Sequence, residues 1–73
     1  MARGPQPLEL EVHRKGRRED AFQATGDLSD FAWMQGELRK WLTGKKWHQD
    51  RWTEFELLVR PAGTWDKPVK VRA

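Results

Sequence analysis

The sequence lacks cysteine and tyrosine and contains a single serine, so several kinds of chemistry have no residues to perform them. Without cysteine there is no disulfide, no thiolate nucleophile and no Cys-ligated zinc. Ser29 stands at the start of a predicted helix and belongs to no nucleophile motif. His13 and His48 are far apart in the chain, whereas metal ligands usually cluster at helix or turn spacing. We therefore expect no catalytic residue, no metal, no cofactor, and a protein that is not an enzyme.

Long apolar runs are also missing. The first residues contain no stretch of signal-peptide length, and no segment approaches the length of a transmembrane span. The glycines are scattered without a phosphate-loop pattern. Together with the absence of cysteine, this predicts a cytoplasmic protein with no membrane partner.

What the chain does have is a high density of large aromatic side chains for its length. With 73 residues it forms one domain, 1–73, in which we expect 1–7 to be a flexible or extended segment. The charged fraction of 34% is high, but five tryptophans and three phenylalanines offset it. Each such ring can bury roughly 150–250 Å². The chain is therefore expected to fold around a thin core.

The first half predicts a hairpin and a helix. Apolar and polar residues alternate over 8–13 and again over 20–25, the pattern of two half-buried strands. Their buried faces match if Leu10 lies opposite Phe22, which leaves a three-residue loop over 15–17. A helix is expected over 28–43.

The predicted helix has recognisable boundaries. Asp27 is the expected N-cap and Asp30 the expected first-turn acid, while Gly44 occupies the expected C′ position. Trp41 falls at the edge of the apolar helix face and is expected to border the core.

The last third predicts two more strands, over 52–60 and 68–72, joined by turn residues. The second of these is expected at a sheet edge because proline begins it, and Trp65 is expected to pin the turn to the core. The fold class is therefore α+β in the order ββαββ: a mostly antiparallel sheet with one helix packed on one face. The third strand should run in the same direction as the second; the order of strands in the sheet stays open.

The net charge of +3 conceals segregated blocks. Residues 19–38 contain five acidic and no basic residues, and basic clusters flank them on both sides. These clusters are the hairpin tip, Arg14, Lys15, Arg17 and Arg18, and the helix exit, Arg39, Lys40, Lys45 and Lys46. The helix dipole explains bases near a helix end, and basic residues keep turns soluble. Clustered bases on a loop are equally what phosphate contact requires.

The outer face of the sheet does not fit a nucleic acid. Strand parity assigns four glutamates to it and only one aromatic, whereas an RNA-reading sheet needs stacking aromatics on a basic background. The assigned residues are Glu9, Glu11, His13, Trp52, Glu54, Glu56, Leu58 and Arg60. We therefore expect any such contact to come from loops and the helix exit.

Three tryptophans have two interpretations. Trp33 lies on the polar side of the predicted helix, so it either packs under neighbouring chain or is exposed for a partner. Trp47 follows the end of the predicted helix and Trp52 belongs to the outer face of the predicted sheet, so both also lie outside the predicted core. If exposed, these rings are candidates for base stacking or for contact with a protein.

Two function hypotheses follow. The first is a small accessory protein that contacts nucleic-acid phosphates through Arg14, Lys15, Arg17, Arg18, Lys40, Lys45 and Lys46. The alternative is a protein–protein interaction module, acting as a homodimer, an adaptor or an inhibitor of a larger protein, with Trp33, Trp47 and Trp52 as partner-binding residues.

Overall fold

The computed structural model describes residues 4–73 and has the predicted α+β class. In chain order the elements are β1 (Gln6–Arg14), β2 (Arg17–Gly26), α1 (Phe31–Gly44), a 3-10 helix (Gln49–Glu54), β3 (Phe55–Pro61) and β4 (Val69–Arg72). The sheet order is β2-β1-β3-β4, and all neighbours are antiparallel. Because β2 and β3 both run antiparallel to β1, they run in the same direction, as predicted.

The core lies between α1 and one face of the sheet. The two central strands supply most of it, with every second residue fully buried, while α1 contributes one residue per turn. Its members are Leu8, Leu10, Val12, Met34, Leu38, Leu42, Phe55, Leu57, Val59 and Val71. Trp41 packs against this cluster from the side, which confirms its predicted place at the edge.

The hairpin register is confirmed, because Leu10 pairs with Phe22. The three-residue loop is wrong. Arg14 pairs with Arg17, and the turn consists of Lys15 and Gly16 alone, with φ angles of 52° and 82°. Two positive φ values are typical of a type I′ turn, whose twist matches that of the strands. The register shift that a longer loop would have absorbed lies within the pairing instead, next to Val12.

The helix begins later than predicted. Asp30, not Asp27, is the N-cap, and its carboxylate accepts the Trp33 N–H at 3.0 Å. The Asp27 carboxylate accepts from the N–H and the hydroxyl of Ser29 and so forms a turn before the helix. Both aspartates have the chemistry of a cap, so local sequence alone did not separate them.

The helix also ends later than predicted. Gly44 is its last residue, and the left-handed conformation falls on Lys46, with φ 62°. The Lys46 N–H donates to the Thr43 carbonyl and the Trp47 N–H to the Leu42 carbonyl, each at 3.0 Å. This pair of bonds is a Schellman motif, in which glycine usually takes the position that Lys46 occupies here.

The third strand is shorter than predicted because residues 49–54 form a 3-10 helix. Trp52 and Glu54 are therefore not on the outer face of the sheet, where alternation had placed them. β4 is an edge strand, as predicted. Trp65 does not pin the turn to the core: it is 96% exposed.

The predicted N-terminal segment 1–7 overlaps β1, which includes Gln6 and Pro7, while residues 1–3 lie outside the described part of the chain. Over residues 4–73, no helix combines the length and apolar character needed to cross a membrane.

Candidate nucleic-acid interface

The two predicted basic clusters lie at the same end of the molecule. Arg14 ends β1 at the hairpin turn, and Trp47 follows the exit of α1. The Arg14 guanidinium lies 4.7 Å from the centre of the Trp47 ring, and the ring also packs on Phe55 with 5.1 Å between centroids. Cation–π contact of this kind joins the two segments directly. Residues 14–18 and 45–47 thus belong to one surface, called the basic end below.

A second contact joins α1 to β2, the elements next to these two segments. The Trp41 indole N–H donates to the Asp20 carboxylate at 2.7 Å, which ties α1 to β2. Lys45 Nζ lies 5.9 Å from the centre of the Trp41 ring. The Trp41 bond and the Ala21 N–H hold the pKa of the Asp20 carboxyl below its usual value. This aspartate therefore serves as an anchor that keeps the helix exit next to the hairpin.

Glu54 organises the cations at the base of the turn. Its carboxylate accepts from Arg14 Nε at 2.9 Å and lies 2.7 Å from Arg14 Nη2, and Arg51 reaches it at 3.2 Å. These hydrogen bonds hold the pKa of Glu54 below its usual range. The planar fork of Arg14 is thereby committed to Glu54 and Trp47. Of the predicted phosphate-contacting residues, Arg14 is the one whose role in the structure is to join the two segments.

The other predicted cations are more available. The Lys15 side chain is 69% exposed, and its Nζ lies as far as 3.9 Å from the Glu54 carboxylate. The Arg18 guanidinium lies at the same long distance from Glu11. Arg17 and Lys46 are exposed and form no ion pair with any described residue. Surface pairs at such distances are weak, so these side chains are free to meet another anion.

Lys40 differs from the rest of its cluster. It pairs with Glu37 one turn earlier, at 3.1 Å. The last turn of α1 contains no basic residue, so the helix dipole, whose effect is confined to that turn, does not account for Arg39 and Lys40.

The basic end also holds unusual backbone. Within residues 4–73, the only residues other than glycine with positive φ are Lys15, at 52°, and Lys46, at 62°. This region disfavours residues with a Cβ by about 1 kcal/mol, and asparagine or aspartate tolerates it better than lysine does. Both lysines were predicted site residues, but their conformation was not predicted, because the predicted three-residue turn and the predicted C′ position at Gly44 were wrong.

No family model, curated protein or solved structure matches the chain. A proposal about its function therefore rests on the geometry of its own residues. Within residues 4–73, no group of three or more His, Cys, Asp or Glu is arranged to hold a metal ion.

The three predicted partner-binding tryptophans are partly buried and pack against the core. Trp33 lies on Gly26 so closely that a Cβ there would overlap its ring. Trp47 is held between Phe55 and Arg14, and the Trp52 indole N–H donates to the Trp47 carbonyl at 3.2 Å. For Trp33, the structure shows the packing alternative rather than the exposed one. None of the three is fully exposed, although Trp47 and Trp52 line a hollow of about 480 Å³ beside Lys46.

The most exposed aromatic ring is one that the sequence assigned to the core. Trp65 lies in the connection between β3 and β4, which starts at the end of the sheet away from the hairpin turn. It borders a hollow of about 380 Å³ on the outer face of the sheet, which Arg18 of the basic end also lines. Turn residues flank it on both sides and give no periodicity by which burial can be judged.

Two of the acids on the outer face of the sheet lie near cations, and one of them, Glu56, is 3.9 Å from Arg72. Glu11 lies 2.9 Å from His13, 3.9 Å from Arg18 and 4.0 Å from Arg60. The His13 hydrogen bond is the main reason why the pKa of Glu11 is lowered. Among residues 4–73, the part of this face around Glu11 and Glu56 therefore carries ion pairs rather than a cluster of unpaired cations.

Proposed function

We propose that the protein contacts nucleic-acid phosphates with its basic end, through Lys15, Arg17, Arg18, Lys45 and Lys46. These five cations lie on the two segments, 14–18 and 45–47, that the Arg14–Trp47 contact joins. Two short segments that are held together rigidly can place several cations along one stretch of the nucleic-acid sugar–phosphate backbone. Lys40, paired with Glu37, is a peripheral contributor.

The observation that carries the proposal is the backbone at Lys15 and Lys46. At φ angles of 52° and 62° glycine would be more stable, as it is at Gly16 next door. Residues held in sparsely populated conformations cluster at functional sites. What lysine adds at both positions is an exposed positive charge, and both charges lie at the same end of the fold.

The tryptophans at this end favour phosphate contact over base stacking. Trp47 is covered by Arg14, and Trp41 is held by Asp20 with Lys45 nearby. Binding to single strands without sequence preference usually relies on open aromatic rings. Duplex DNA or RNA, which has the higher charge density, is therefore the expected ligand, and affinity should depend on salt rather than on base sequence.

The test is fluorescence anisotropy with a labelled duplex of about 20 base pairs, titrated between about 20 and 200 mM salt. Three to five phosphate contacts predict a slope of log K against log salt of about −3 to −4.5. Lys46→Gly should reduce the magnitude of this slope by about 0.9, and the Lys15→Gly/Lys46→Gly double variant by about 1.8. Both substitutions suit the local φ angles, so the fold is retained.

Lys67→Gly is the matched control, because it removes the same charge from the β3–β4 connection at the other end and should leave the slope unchanged. Two results would overturn the proposal: no binding at the lowest salt, or an equal loss of slope in Lys67→Gly. Tighter binding of the matching single strand, with strong quenching of tryptophan fluorescence, would contradict the phosphate-only mode.

A further inference from the structure

The two edges of the sheet differ in how open they are to another strand. β4 has only four residues, follows Pro68, and exposes Lys70 and Arg72. Short length, proline and lysine are the usual protections of an edge strand. β2 has ten residues, contains no proline, and forms the other edge of the sheet. Charged residues and a bulge protect its start, over 17–20, but not its remaining six residues, 21–26. Natural proteins rarely leave an edge of that length uncovered.

β2 is also the edge with an apolar centre. Residues 21–26 contain no charge. On the helix-covered face Phe22 is only partly buried, and together with Trp41 it lines a groove of about 320 Å³ that Glu37 and Lys40 flank. An added strand would fill this groove while completing the hydrogen bonds of the edge.

We propose that two copies of the chain pair antiparallel through their β2 strands and form one continuous eight-stranded sheet with both α1 helices on the same face. The distribution of charge is compatible with a second copy of the chain. Arg17 and Arg18 begin β2, whereas its last six residues, 21–26, carry no charge. In an antiparallel pair the two basic starts lie at opposite ends of the interface, each beside the uncharged end of the other strand, so like charges are kept apart.

The alternative pairing between copies, β2 against β4, would be head-to-tail and would not close. It offers four residues of overlap and brings the basic strand β4, with Lys70 and Arg72, against the basic start of β2. The symmetric β2 pair avoids both problems and leaves only the protected β4 edges at its ends.

The uncharged, partly apolar centre of β2 favours a register centred on Phe22. Phe22 then lies opposite its own copy, and Ala21 lies opposite the partner's Gln23. In the single chain the Ala21 N–H bonds to the Asp20 carboxylate at 2.8 Å. On pairing, that N–H transfers to the carbonyl of the partner's Gln23, and Asp20 retains its bond from Trp41.

The test is size-exclusion chromatography with light scattering on the full chain, without nucleic acid, from about 1 µM to 1 mM. We expect the mass to rise with concentration to twice that of one chain. Gln23→Lys, at the exposed centre of β2 and opposite Glu9, should weaken the dimer at least about tenfold, because an edge lysine opposes strand pairing. Gln49→Lys makes the same change on the 3-10 helix and should leave the dimer intact.

Because the chain has no cysteine, introduced thiols report the register. A mixture of Ala21→Cys and Gln23→Cys chains should form the mixed disulfide in preference to either homodimer, whereas Lys70→Cys in β4 should remain reduced. A monomer at every concentration, equal weakening by Gln23→Lys and Gln49→Lys, or preferential cross-linking through Lys70→Cys would overturn the proposal.

Discussion

The two ends of this molecule use tryptophan in opposite ways. At the basic end Trp47 is held between Phe55 and the Arg14 guanidinium. At the other end Trp65 is 96% exposed and touches little of the fold. The same residue type thus builds a rigid platform under cations at one end and remains an open ring at the other. The number of aromatic residues therefore does not locate a binding surface; the burial of each ring by its neighbours has to be known.

The ends differ in their backbone as well. In the β3–β4 connection the positive φ of 77° falls on Gly63, the residue that adopts it at no steric cost. At the basic end two lysines adopt such angles. The chain uses glycine where only a turn is needed and lysine where the turn also presents a charge, which is the difference on which the proposed function depends.

The largest effect is expected from removing the covered ring. Trp47→Ala should lower the free energy of unfolding by about 2–3 kcal/mol, because Phe55 and Arg14 both lose their packing partner. Trp65→Ala should change it by less than about 0.5 kcal/mol. Urea unfolding of both variants measures the contrast. An equal loss of unfolding free energy in both variants would show that Trp47 is no better packed than Trp65.

An exchange of residues between the ends should give smaller shifts of opposite sign. Lys46→Gly should raise the free energy of unfolding by up to about 1 kcal/mol, because glycine relieves the left-handed conformation. Gly63→Lys should lower it by about 1 kcal/mol for the converse reason. Thermal unfolding detects both. If Lys46→Gly destabilises the protein, the lysine is held there by packing and its conformation is no argument for function.

Some of the fold was predictable because its signals are local. The alternation in β1 and β2 fixes which residues face the core and therefore fixes the pairing of Leu10 with Phe22. The same alternation was misleading at Trp52, since residues 52–54 continue the period of β3 but form a 3-10 helix. Here the Trp52 indole N–H donates to the Trp47 carbonyl and the Asp50 N–H donates to His48 Nδ1, local hydrogen bonds that a strand pattern does not encode.

The candidate site was predictable in its members but not in its assembly. Charge clustering identifies the lysines and arginines of the hairpin tip and the helix exit. The hairpin tip and the helix exit form one surface because Arg14 contacts Trp47. These two residues are 33 positions apart, and no sequence pattern links them. The left-handed conformation of Lys46 depends on α1 extending through Gly44, which local preferences did not determine.

The smallest expected effect is a dependence on pH that arises mainly at the basic end. Hydrogen bonds lower the folded-state pKa of Glu54 and of Asp20 relative to their usual values of 4.5 and 3.8. A lowered folded-state pKa stabilises the fold above the unfolded pKa, and this stabilisation is lost as pH falls through the folded pKa. Stability should therefore decrease below about pH 4.5.

The Arg14–Glu54 and Trp41–Asp20 contacts should loosen together in acid and separate the hairpin turn from the helix exit. Glu54→Gln should flatten the decline in urea-unfolding stability between about pH 5 and pH 3, and Glu19→Gln, which removes an exposed charge from β2, is the matched control. In the Trp65→Phe background the remaining tryptophan fluorescence should change over the same pH range, since Trp41 and Trp47 report on these contacts. A decline that Glu54→Gln and Glu19→Gln alter equally would mean that general charge repulsion, and not the anchoring of the basic end, governs the acid response.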